Sequence, residues 1–160
     1  HLRGSTMLKL LRQLAAATVL IAAASTASAA ALKQDEIWTD MHGRALKGYD
    51  AVAYHLERKP VRGEEVYELE WKGAKWLFST AENMEKFRAD PERWAPQYGG
   101  YCAWGIAKDR VVGINPTIFR IFDDKLYLNL NMKVHKEWLG SHHGFRARAD
   151  DKWPDILVYD

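Results

Sequence analysis

Along the chain, apolar and polar positions form short blocks whose period changes several times. Asp50–His55 (DAVAYH) is a short apolar run and predicts a strand. Glu65–Trp71 (EVYELEW) alternates with period two, Lys72-Gly73 turns the chain, and Ala74–Phe78 runs back, which predicts a hairpin. Ser79, followed by Glu82 three residues on, predicts a capping box opening a helix that carries Met84 and Phe87 on one face. That helix ends near Asp90-Pro91, where Asp90 caps a second short helix with Pro91 at its first position. Gly99-Gly100 predicts a tight turn into another helix. Ile118–Phe122, Asp123-Asp124 and Lys125–Leu130 predict a second hairpin. Asn131 caps a helix through Trp138 that Gly140 ends, Ser141–Gly144 reads as a loop, and Phe145–Trp153 is a last helix stopped by Pro154. The class is α+β, a small antiparallel sheet built from hairpins and covered by several short helices.

The first residues follow a different pattern. His1–Thr6 read as a cloning scar ahead of Met7. Residues 7–31 then run from a basic stretch (Lys9, Arg12) through the apolar Leu14–Ala24 to small residues, the order of a secretory signal peptide. The apolar run is shorter than the roughly 20 residues of a spanning helix, so no stable membrane anchor is expected after cleavage. Residues 32–160 remain as a single domain in the periplasm or outside the cell.

Composition is that of a globular chain, with 48% hydrophobic residues and 28% charged. The formal charge of +2 becomes −1 once residues 1–31 and their Arg3, Lys9 and Arg12 are removed, which takes away support for a nucleic-acid partner. A single cysteine excludes an internal disulfide and any site with several thiolates. A homodimer stays open.

That cysteine, Cys102, is the first chemical candidate. Gly99-Gly100 lets backbone approach closely, and the following helix would aim its first N–H groups at the thiol, lowering its pKa. A thiolate binds soft metals such as Cu(I). The opposing expectation is a small buried hydrophobe. Met132 and His135 stand three apart on one predicted helix and could complete a copper site with Cys102. His142-His143 reads as a surface pair. Asp123-Asp124 suits a turn, and Asp150-Asp151 reads as a solvated pair near a helix end. Hydrolase, zinc-protease and phosphate-loop motifs are absent from the sequence.

The pieces in order resemble a known family. Gly48-Tyr49-Asp50-Ala51-Val52-Ala53-Tyr54, Lys59–Gly63, Trp76-Leu77-Phe78-Ser79, Phe87 with Asp90-Pro91, Gln97–Ala103, Lys125–Asn129 and Ala149–Pro154 together look like the secreted YHS-domain proteins. The resemblance implies metal handling, because YHS domains accompany copper-transporting ATPases. The metal-handling versions carry cysteines in the segments matching Gly48–Ala53 and Phe78-Ser79-Thr80, and this chain has none there. His55 also stands where the family pattern has Phe. Three functions follow in order of preference. The first is a periplasmic copper-type module with Cys102, His135, Met132 and His55 as metal ligands. The second is a non-catalytic small-molecule or protein interaction domain, with a cleft at Tyr98, Gly99, Gly100, Tyr101 and Trp104 and Cys102 in the core. A thiol enzyme comes last.

Overall fold

The structure, a computed structural model, describes residues 32–159. The expected scar and signal peptide lie outside the described residues. In chain order the elements are β1 (Leu32–Lys33), α1 (Ala51–Glu57), β2 (Glu64–Trp71), β3 (Ala74–Phe78), α2 (Ala81–Ala89), α3 (Pro91–Trp94), α4 (Ala103–Ala107), β4 (Asn115–Phe122), β5 (Lys125–Asn129), α5 (Met132–Gly140), α6 (His142–Lys152) and β6 (Val158–Tyr159). Single 3-10 turns occupy Leu46–Gly48, Gln97–Gly100 and Asp155–Leu157.

The class is α+β, and both expected hairpins form. Each stays a separate two-stranded antiparallel ladder, β2 with β3 and β4 with β5, while β1 pairs with β6. Their turns explain why the pattern was readable. Lys72 and Gly73 have φ of 48° and 73°, and Asp123 and Asp124 have 52° and 59°. Two-residue hairpin turns require such positive φ, which Gly and Asp tolerate better than most residues.

The expected strand at Asp50–His55 is instead the helix α1. Ala51, Val52, Ala53 and Tyr54 are all fully buried, so the segment has no polar face to reveal a helical period. Asp50 decides the outcome as N-cap. Its Oδ1 accepts from the backbone N–H groups of Val52 and Ala53 at 2.9 and 3.1 Å. Its Oδ2 accepts from Ser79 N, Ser79 Oγ and Asn83 Nδ2 at 2.8, 2.7 and 2.9 Å. A carboxylate with no exposed surface is thus met by five donors, and α1, β3 and α2 are fastened together.

This hub also moves the next cap by one residue. Ser79 is drawn to Asp50, and Thr80 caps α2 by accepting from Asn83 N at 3.0 Å. Glu82 pairs with Lys86 at 3.1 Å and closes no capping box. Asn131 caps α5 as expected, through Val134 N at 3.0 Å. The predicted loop at Ser141–Gly144 shrinks to Ser141, because α6 already begins at His142.

Two apolar clusters fill the interior. One gathers Tyr54, Trp76, Phe78, Phe87, Leu126 and Leu128 between the hairpins and α1. The other gathers Ile106, Tyr127, Trp138, Phe145 and Leu157. Trp38 and Trp104 pack against both. Among the described residues, no helix is long and apolar enough to cross a membrane.

Candidate functional site

The Tyr98-Gly99-Gly100-Tyr101-Cys102 segment turns through three successive left-handed residues, with φ of 56°, 60° and 81° at Tyr98, Gly99 and Gly100. Gly99 is required for a second reason. A Cβ there would lie 1.7 Å from the carbonyl oxygen of Glu36, because the first described segment crosses directly over it. Trp38 N donates to Gly99 O at 2.9 Å, and Tyr101 Oη donates to Asp35 O at 2.8 Å. The close approach that the glycines permit is therefore to the chain's own backbone.

Cys102 follows as the N-cap of α4 and has no exposed surface. Its Sγ accepts from Leu130 N at 3.3 Å and, as a thiol, donates to Asn129 Oδ1 at 3.6 Å. Burial pushes the thiol above its ordinary pKa, while backbone N–H groups of Gly105, Leu130 and Trp104 pull the other way and do not win. The expected donors at the helix N-terminus exist. The expected lowering of the pKa is corrected, because desolvation of the thiolate outweighs them.

Asn129 links this thiol to His135. Its Oδ1 also accepts from Trp104 N at 3.2 Å, and its Nδ2 lies 2.9 Å from His135 Nδ1. An amide nitrogen can only donate, so His135 Nδ1 accepts and the imidazole carries its proton on Nε2. Burial, then the charge of Arg120, lowers the pKa of His135, in agreement with that neutral ring.

The residues expected to hold copper are thus distributed unevenly. Cys102 and His135 share one buried cluster, with an amide between them. Met132 is exposed on α5. His55 is held elsewhere, with Nε2 3.2 Å from Trp94 O and its ring edge-on to Trp94. This donor set does not fit a metal ion, since Asn129 stands between the thiol and the imidazole and hydrogen-bonds to both, and neither Met132 nor His55 joins them. Among the described residues, no three His, Cys, Asp or Glu side chains are grouped to hold one.

Tyr98 and Gly99 also border an open cleft of about 200 Å³. Trp71, Lys72, Glu36, Glu92, Asp150 and Trp153 line it together with Tyr98 and Gly99. Tyr98 Oη donates to Asp150 Oδ1 at 2.7 Å, which ties α6 to the turn. Lys72 Nζ lies 2.7 Å from Glu36 and 3.1 Å from Glu92, and 4.7 Å over the Trp71 ring. Of the expected ligand cleft, Tyr98 and Gly99 face this space. Gly100 does not line it, Tyr101 is committed to Asp35, and Trp104 packs among core residues with Lys108 and Arg110 against its ring. Asp150 and Lys72 did not stand out in the sequence. Asp150 was expected to be merely solvated, and only the fold brings it to Tyr98.

The family model of the YHS domain matches residues 52–98. The chain is a YHS-domain-containing protein, with the match running from α1 to Tyr98. No curated protein matches the chain, and no solved structure does. Trp71, Lys72, Glu92 and Tyr98 of the cleft fall inside the matched stretch, and Cys102 falls beyond it.

Proposed function

We propose that this YHS-domain protein is a non-catalytic binding module, with Cys102 as a structural residue and the cleft at Tyr98–Gly99 as the ligand site. One observation carries the proposal: of the Tyr-Gly-Gly-Tyr-Cys segment, Tyr98 and Gly99 line the cleft and Cys102 does not. Tyr98 and Gly99 border open space with aromatic walls, whereas Cys102 has no exposed surface. Ligand sites combine apolar walls with a few placed polar groups, as Trp71, Trp153, Tyr98 and Asp150 do here. Enzymatic use of the thiol has no support, because the raised pKa disfavours the thiolate that a nucleophile needs. Residues 7–31 support a site of action outside the cytoplasm, by their basic, apolar, small-residue order.

Two titrations of the full chain followed by amide NMR test this. A set of uncharged, acidic and basic aromatic fragments is expected to shift Tyr98, Gly99 and Trp153 as a group. No grouped shift there would overturn the assignment of the cleft. Cu(I), titrated against a competing chelator, is expected to be taken up equally weakly by the wild type and by Cys102→Ala. Tight, stoichiometric uptake that Cys102→Ala abolishes would overturn the structural role and establish a copper site, for which Asn129 would have to swing out from between Cys102 and His135.

A further inference from the structure

We infer that the ligand of the cleft is a small organic cation, an ammonium group on a compact apolar body. This rests on the assignment of the cleft as the ligand site. Among the described residues, three carboxylates line the cleft, Glu36, Glu92 and Asp150, against one cation, Lys72. Two of the carboxylates already hold an ammonium. The Nζ of Lys72 sits between Glu36 and Glu92 and over the face of Trp71, so this wall recognises an alkylammonium by charge and by its aromatic face. These contacts raise the pKa of Lys72, the hydrogen bond it donates to Glu36 foremost.

The third carboxylate is differently placed. Asp150 Oδ1 accepts from Tyr98 Oη, and among the described residues no donor reaches Oδ2. Beside it, Trp153 presents an indole 6.1 Å from the Tyr98 ring, both rings bordering the cleft. An ammonium placed at Asp150 Oδ2 lets its hydrocarbon body lie along Trp153. Among the described residues, Lys72 is the one cation lining the cleft, and an anion would meet it already paired twice. The volume, about 200 Å³, is below the roughly 300–1,000 Å³ of drug-sized sites, so the ligand has fragment size.

Three probes of one shape separate the possibilities: phenethylammonium, 2-phenylethanol and phenylacetate, each titrated into the full chain with Tyr98, Gly99 and Trp153 observed by NMR. Phenethylammonium is expected to bind about 10-fold more tightly than either other probe, the scale of one charge-assisted contact. Asp150→Asn keeps an acceptor for Tyr98 and is expected to remove that preference with Tm unchanged. If 2-phenylethanol or phenylacetate binds at these residues as well as phenethylammonium, the cationic ligand is overturned and the cleft stands. The same holds if Asp150→Asn, folded, keeps the full preference. If no probe shifts these residues, the cleft and the inference fall together. Should Asp150→Asn lower Tm, Glu92→Gln on the exposed rim gives the same reading of charge, with a weaker preference expected and an unaltered one counting against the inference.

Discussion

The side-chain amide of Asn129 points its nitrogen at Nδ1 of His135, 2.9 Å away, while its oxygen faces the thiol of Cys102. A single amide thereby accepts from the thiol and fixes the tautomer of the imidazole. Asn129→Asp would exchange that donor for a carboxylate. The expected result is a rise of the His135 pKa above its ordinary range, since an imidazolium N–H would then face an acceptor. NMR titration of the ring protons checks this. Asn129→Ala should cost about 2–3 kcal/mol in urea unfolding, because Trp104 N and His135 lose a buried partner.

His135 also gives stability a pH dependence. Its folded pKa is lowered by burial from the ordinary 6.5, and burial lowers that of His55 as well. The unfolded chain therefore binds protons first on acidification. Stability is full above about pH 6.5 and is lost progressively as pH falls below it toward the folded values. Thermal unfolding between about pH 7.5 and pH 5 should show a falling Tm, and His135→Gln should make the slope shallower. A flat profile for the wild type would contradict the neutral, buried ring.

Alkylation reports on Cys102 independently. The thiol is sealed and its pKa is raised, so iodoacetamide should label the native chain far more slowly than the urea-unfolded chain. The labelling rate should show no plateau near neutral pH. Cys102→Ala should cost about 1–2 kcal/mol, an ordinary core truncation.

The glycines should separate sharply. Gly99→Ala puts a methyl group into the Glu36 carbonyl, at a φ of 60°, and should cost about 3 kcal/mol or more. Gly140→Ala meets nothing within 4 Å at the end of α5 and should be neutral or gain about 0.5 kcal/mol. Comparative denaturant unfolding of the two variants is the check.

What the sequence made legible was local. The hairpins announced themselves through alternation around Lys72-Gly73 and Asp123-Asp124, and Asn131 capped the helix its position implied. What it concealed depended on residues far apart in the chain. Asp50–Tyr54 looked extended because burial on every side erases a helical period, and the cap at Asp50 was the signal that should have outweighed it. Ser79 lost its capping role to Asp50, which is 29 positions away. The donors aimed at Cys102 could be foreseen, and so could its burial as the opposing expectation, but nothing local showed which of the two would prevail. The partnership of Tyr98 with Asp150 spans 52 positions, so nothing near either residue marks it. The Asn at the end of Lys-Leu-Tyr-Leu-Asn, polar among apolar neighbours, was the one cue to the buried cluster.

The Asp50 hub bears on how this domain can be cut or transplanted. The recognisable stretch begins at residue 52, two positions past the carboxylate that caps its first helix. Tyr54 within the stretch donates to Pro116 and packs edge-on against Phe119, both well outside it. A graft of residues 52–98 into another host would carry the signature of the family and leave much of its fastening behind. The segment by which such proteins are recognised is shorter than the segment that folds, and chimeras or deletion series should be bounded by the partners of Asp50, Tyr54 and Tyr98.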